Sequence, residues 1–259
     1  MKLLDQAELF DTNFNRMTMR DAVDQCIVWC KEPRRSHVVL TANAAILCMK
    51  RENAELSEAC GQADMVVPDG VPVVWASRLA GTPLPERVAG VDFMVELLHA
   101  ADKHGLRVYF LGAKPEVVTA LVELCEREYP RAVIAGARDG YFKPEQHAEV
   151  VEQIRASQAD LLFVGMPTPF KETWVQKHRE RLDVPVIMGV GGSFDVLTGK
   201  VKRAPVFLQN VGMEWSWRLA MEPRKMWKRY LKTNTEFLWL TARLVAKRRS
   251  TAAMDGVAR

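Results

Sequence analysis

The chain has 259 residues, 48% of them hydrophobic and 26% charged, which suffices for one sizeable α/β core or a core with a small appendage. No leader-type apolar segment opens it and no apolar run nears the ~18 residues of a spanning helix, so neither export nor membrane spanning is expected. The five cysteines (Cys26, Cys30, Cys48, Cys60 and Cys125) are odd in number and form no C-x-x-C, pointing to idle thiols in a reducing cytoplasm.

In chain order, short β-branched runs at 38–41, 66–68, 108–111, 132–134, 161–164 and 186–188 predict buried strands. Between them, amphipathic spacing predicts helices over 44–59, 91–103, 115–128, 144–157 and 170–181, with Pro115 and Pro144 suited to a first helical turn. This alternation predicts an α/β fold: a Rossmann-like open, mostly parallel sheet flanked by helices, with a C-terminal helical appendage. Ligands of such sheets bind beyond the carboxyl ends of the strands. Those ends gather the polar and glycine residues here: Thr41 and Asn43, Asp69 and Gly70, Gly112, Gly140 and Tyr141, Gly165, and Gly191 and Gly192.

The last sixty residues differ in character. Residues 200–259 hold 14 Lys and Arg against four acids, a balance of +10, whereas residues 1–199 carry −6. This divides the chain into an α/β catalytic body, 1–199, and a basic amphipathic appendage, 200–259. Around a helix over 224–249, Trp227, Tyr230, Leu231, Phe237, Leu238, Leu244 and Val245 fall on one face, and Lys228, Arg229, Lys232, Arg243 and Lys247 on the other. Three readings stay open: a helix packed on the body, a helix seated in a membrane interface, or a nucleic-acid contact. The negative body and the lack of any nucleic-acid-reading motif speak against the last.

Several chemistries lack their residues. There is no D-x-D to hold a metal-bound nucleotide sugar, and the five histidines show no ligand spacing. Gly199-Lys200 is followed by Val201, which excludes a phosphate loop, and Phe194 interrupts any dinucleotide fingerprint after Gly189 and Gly191. No G-x-S-x-G occurs. Asp69, at a strand end before Gly70, is either a general base or a turn or capping aspartate ahead of a helix over 71–79.

Eight motifs in order over about residues 35–230 carry a resemblance. They include Thr41-Ala42-Asn43, Ala63-Asp64-Met65-Val66-Val67-Pro68-Asp69-Gly70 and Glu86-Arg87-Val88-Ala89-Gly90. Further along come Phe110-Leu111-Gly112-Ala113, Asp139-Gly140-Tyr141-Phe142, Gly189 to Asp195, Arg203-Ala204-Pro205, and Gly212-Met213-Glu214-Trp215 through Arg218. Together they closely resemble the WecG/TagA/CpsF glycosyltransferases. The resemblance implies an inverting, metal-independent enzyme that moves a sugar from a UDP-sugar to an undecaprenyl-diphosphate-linked sugar in cell-surface polysaccharide synthesis. It implies no cofactor beyond the donor substrate itself. It assigns Asp69 as the base on the acceptor hydroxyl, with Arg87 and Arg218 as the catalytic cations. Thr41 and Asn43 would line the pocket, and Gly191, Gly192 and Asp195 would lie near the nucleotide. Lys225 and Lys228 fall on two further basic positions of the tail. Where many members carry P-K-Q-E, this chain has Pro169-Phe170-Lys171-Glu172. Lys171 thus replaces a pocket glutamine, a charged donor in place of an amide, which speaks against N-acetylmannosaminyl specificity and for another donor or acceptor sugar (glucose among the donors) and an exopolysaccharide role, unless Lys171 points to solvent.

The expected partners are a UDP-sugar, a lipid-linked sugar acceptor and an anionic membrane surface, with no nucleic acid and with a homo-oligomer left open. The expected location is the cytoplasm, peripheral on the inner face of the cell membrane. The rival readings are a non-catalytic peripheral protein that recruits partners and a nucleic-acid-binding α/β protein.

Overall fold

The computed structural model describes residues 5–221 and 223–257. A hairpin of β1 (Gln6–Leu9) and β2 (Thr12–Asn15) opens the chain, turning through Phe10 and Asp11, both at φ 53°. Two successive positive φ values match the twist of a tight hairpin. Helix α1 (Met19–Lys31) follows, its start fixed by a reciprocal Thr18–Asp21 capping box.

The body then alternates: β3 (His37–Ala42), α2 (Ala44–Glu52), α3 (Ala54–Gly61), β4 (Met65–Pro68), α4 (Val71–Leu79), α5 (Gly90–His104), β5 (Arg107–Gly112) and α6 (Pro115–Glu128). It continues with β6 (Val133–Arg138), α7 (His147–Ala156), β7 (Leu161–Gly165), α8 (Phe170–Leu182), β8 (Val186–Gly189) and α9 (Ser193–Leu197). Strands β3 to β8 form one parallel sheet in the order β4-β3-β8-β7-β5-β6. All six predicted strands are present, and the sheet is the expected open α/β type.

One layer packs α1, α5 and α6 on a sheet face through Trp29, Phe93, Leu97, Leu121, Phe110 and Phe163. The opposite face is divided. The hairpin, α2, α3 and α4 share one cluster around Phe14, Leu47, Leu56 and Val73, and α7 and α8 share another around Val151, Ile154 and Trp174. Burying both sheet faces explains why its strands read as apolar runs rather than as alternating patterns.

Two departures from the sequence reading have local causes. The helix expected over 44–59 is two helices, because Asn53 leaves helical geometry (φ −134°, ψ 105°) and its side chain accepts from Leu56 N to cap α3. The helix expected from residue 144 begins as a 3-10 turn at Pro144–Gln146 before α7. The hairpin and α1 had no counterpart in the sequence reading.

The tail comprises α10 (Val206–Asn210), α11 (Glu214–Met221) and α12 (Pro223–Val257). Helix α12 packs on α2, with Phe237 and Leu240 buried in the α2–α4 cluster and Leu244 against it. Lys232 Nζ bonds Glu52 at 2.8 Å, and Arg51 Nη1 donates to Glu236 at 3.3 Å. The buried stripe is therefore Phe237, Leu240 and Leu244, not the whole face drawn from spacing. Trp227, Leu231 and Leu238 form a second, exposed apolar sector about 100° around the helix. Tyr230, Arg229 and Lys247 lie outside the described side chains. Among the described residues no helix is long and apolar enough to cross a membrane.

Candidate active site

A cleft of about 440 Å³ opens at the carboxyl ends of β4, β3, β8 and β7. Backbone bonds fix its left wall: Asp69 N donates to Ala42 O at 3.0 Å and Val88 N to Pro68 O at 2.9 Å. These hold the end of β4 between β3 and the start of α5. Gly90 opens α5 at this corner. A methyl placed on it would lie 3.1 Å from Thr41 Oγ1 and 3.7 Å from Asp69 Oδ2, so both side chains crowd the same backbone position. Asn43 stands beside them as the N-cap of α2, its Oδ1 accepting from Ile46 N at 3.1 Å. The N-cap of α4 is Gly70, with no side-chain cap, so Asp69 is not that helix's capping residue.

The floor of the cleft is built by close backbone approach. A Cβ on Gly165 would sit 2.6 Å from the Phe194 ring, so only glycine lets α9 close onto the end of β7. Gly112, at φ 126°, would bring a Cβ to 2.5 Å from the Gly165 backbone. Gly191, Gly192 and Asp195 line the far wall.

Lys171 also lines the cleft and is only 6% exposed, which corrects the alternative that it points to solvent. Its ammonium bonds both Thr168 Oγ1 and Glu172 Oε1. The second carboxylate oxygen of Glu172 is buried without a partner among the described atoms. Lysine can be buried here because a neighbouring carboxylate and hydroxyl replace its hydration shell.

The tail closes the remaining side. Arg203 makes a two-pronged ion pair with Asp92, at 2.5 and 2.7 Å. The guanidinium hydrogen bonds hold the Asp92 carboxyl below its usual range, and the carboxylate in turn pushes Arg203 further up. Arg87 Nη1 donates to Glu214 Oε1 at 2.8 Å and Nη2 to Asp92 at 3.3 Å, so Arg87 ties the body to the first turn of α11. Trp217 Nε1 donates to the Lys202 carbonyl at 3.2 Å. The lining carries three acids (Asp69, Asp195 and Glu214) and three bases (Lys171, Lys202 and Arg203). Among the described residues no three His, Cys, Asp or Glu side chains converge as a metal site.

Of the residues singled out from sequence, Thr41, Asn43, Asp69, Lys171, Gly191, Gly192 and Asp195 come together in this cleft. Arg87 stands behind it, reaching it through Glu214. Gly112 supports Gly165 from outside the lining, and Tyr141 is 72% exposed away from it. Lys228 borders a neighbouring depression between α2 and α12, beside Glu52 and Lys232, which shares Thr168 with the cleft. The side chains of Arg218 and Lys225 lie outside the described residues. Sequence reasoning missed Lys202, Arg203, Glu214 and Trp217 as site residues. The Arg203-Ala204-Pro205 and Gly212-Met213-Glu214-Trp215 motifs were visible, but only the folded chain places them opposite Asp69.

The comparisons with known proteins accord with this geometry. The glycosyl transferase WecG/TagA/CpsF family model matches residues 7–251. An N-acetylglucosaminyldiphosphoundecaprenol N-acetyl-beta-D-mannosaminyltransferase of Bacillus spizizenii is 39% identical over 193 residues, 74% of each chain. A protein of the same name from Bacillus subtilis is 36% identical over 194 residues, 75% of each chain. With the family model spanning nearly its whole length, this chain belongs to the WecG/TagA/CpsF family of glycosyl transferases, sugar-transferring enzymes.

Proposed function

We propose that the enzyme transfers a sugar, with inversion and without a metal or resident cofactor, from a UDP-sugar to an undecaprenyl-diphosphate-linked sugar at the inner face of the cell membrane. The observation that carries this reading is the cleft at the strand ends, with Asp69 on one wall and Lys202 and Arg203 on the tail side. The two relatives' names supply the lipid-linked acceptor and, for those proteins, the N-acetylmannosaminyl group.

In this reaction the acceptor hydroxyl attacks the anomeric carbon as the bond to the donor diphosphate breaks. Asp69 takes the hydroxyl proton, and attack from the face opposite the leaving group inverts the anomeric centre. The departing UDP requires positive charge. Arg203 is held in place by Asp92, and Arg87 is held by Glu214. A bound diphosphate competes with Glu214 for Arg87, so donor binding and the seating of α11 are coupled. Arg218 on α11 is the further cation of this reading.

The buried Lys171–Glu172 pair supports a donor or acceptor sugar other than that of the N-acetylmannosaminyl relatives, glucose included, because it sets an ammonium and a carboxylate at the cleft where a neutral amide would stand. Residues 200–259 are the docking appendage: Trp227, Leu231 and Leu238 stand exposed beside the exposed Lys228 and Arg243. The test is a donor screen with purified enzyme, a prenyl-diphosphate-linked N-acetylglucosamine and a panel of UDP-sugars, measuring released UDP. Turnover with one or more UDP-sugars is expected. Turnover with none, or only with ADP- or GDP-sugars, overturns the proposal.

A further inference from the structure

The outer face of α4 carries a stripe that neither the core nor the cleft uses. Val71, Trp75 and Leu79 recur every fourth residue and so share one side of the helix. Trp75 is 50% exposed and Leu79 66% exposed, whereas Val73, Val74, Ala76 and Ser77 on the other side are buried. The stripe begins against the tail. A methyl on Gly212 would lie 3.0 Å from Val71 Cβ and 3.3 Å from Pro72 Cδ, so the turn after α10 rests on the first turn of α4. Beyond that contact Val206, Phe207 and Val211 are exposed, Phe207 by 66%. Two segments distant in sequence thus join into one apolar surface, and exposure of such a surface marks an interaction site.

Its charge and position select the partner. Helix α4 contains Arg78 and no acid, and residues 196–213 contain three bases and no acid. Lys200 and Arg203 are paired with Glu116 and Asp92, which leaves, among the described residues of these segments, Arg78 and the cleft-edge Lys202 as exposed cations. The next acid, Glu214, is engaged with Arg87. Two segments whose own charges are all basic would oppose like charges when facing a second copy, whereas an anionic lipid surface complements them. Asp69 lies just before α4 and Arg203 and Ala204 just before α10, and all three line the cleft, so the surface borders its mouth.

We propose that α4 of the body and the 199–213 segment at the start of the appendage together form a lipid-seating surface, separate from α12, that holds the cleft mouth at the headgroup layer of an anionic membrane. The inference rests on the reading of a lipid-linked acceptor, whose diphosphate lies at that level. In the full chain, fluorescence of wild type minus Trp75→Phe isolates the Trp75 signal. This difference should be quenched by phosphatidylglycerol vesicles with brominated acyl chains and not by unbrominated ones. Equal difference signals in both overturn the proposal. The Leu79→Ser/Phe207→Ser double variant alters exposed positions only and should melt as wild type does. It should bind phosphatidylglycerol vesicles roughly tenfold or more weakly, with transfer to a soluble short-chain acceptor unchanged. Unaltered vesicle binding overturns the proposal, as does a lipid-free dimer in sedimentation that this variant dissociates, because the surface then belongs to a second copy. A wild type inactive on the soluble acceptor with every UDP-sugar counts against the proposed function, while the quenching result still decides the lipid contact.

Discussion

Gly90→Ala tests whether the corner between β3, β4 and α5 is where the acceptor hydroxyl sits. The added methyl would lie 3.1 Å from Thr41 Oγ1, 3.7 Å from Asp69 Oδ2 and 3.8 Å from Thr41 Cβ. Thr41 is buried at the end of β3, so it must give by a few tenths of an ångström and press on its neighbours. Gly90 lies outside the left-handed region, so alanine fits its backbone and removes about 0.5–1 kcal/mol of glycine's entropic cost in a helix. That gain offsets much of the local crowding, and the net change in stability should stay within about 1 kcal/mol, a shift of roughly 2–4 °C in Tm. Catalysis should respond far more strongly. A misplacement of about 1 Å costs on the order of 10²-fold, and the methyl presses on Thr41 and occupies space beside Asp69, where the acceptor hydroxyl must approach. UDP release should therefore show kcat reduced by roughly 10–10²-fold with Tm within roughly 2–4 °C of wild type. A variant that folds normally and turns over within twofold of wild type would show that the acceptor does not approach through this corner.

Asp69→Asn keeps the shape but cannot take a proton; transfer should fall roughly 10²–10⁴-fold with UDP binding retained, and activity within a few-fold of wild type would remove Asp69 as the base. Activity should survive excess EDTA, because the cations of the cleft are side chains; loss on chelation with recovery in Mn²⁺ would overturn the roles of Arg87 and Arg203. His178 is buried against Trp174, with ring centroids 5.0 Å apart and Nε2 without a partner among the described residues, and desolvation, then His147, Lys177 and Arg181, hold it below the usual histidine value. A folded value below the unfolded one of about 6.5 contributes stability above that pH that is lost as pH falls through the folded value. Tm should therefore decline on acidification below about pH 6.5, less steeply in His178→Phe; identical slopes would refute this origin.

The sequence by itself determined the sheet. The inner strands are buried on both faces, so their apolar runs were visible without knowledge of neighbours, while the edge strand β6 is only partly buried, and Pro115 fixed the start of α6. It also placed Thr41, Asn43, Asp69, Gly191 and Gly192 at strand ends, because period and punctuation are local signals. The hairpin escaped notice because its strands have four residues each and turn through Phe10 and Asp11 without a glycine. Only the tertiary structure decided strand order, which sets β4 and β3 beside β8 and β7 and so brings residues near 41, 69, 171 and 191 into one cleft. It alone showed Lys171 buried on Glu172, Arg87 tied to Glu214, and Arg203 facing the cleft from the tail, since ion pairs between distant segments leave no periodic trace. The tail shows the same division. Spacing gave a helix with apolar and basic sectors, but which apolar sector is buried depends on where α2 presents Ile46, Leu47 and Cys48 to Phe237 and Leu240. That is a property of two packed surfaces, not of either sequence alone.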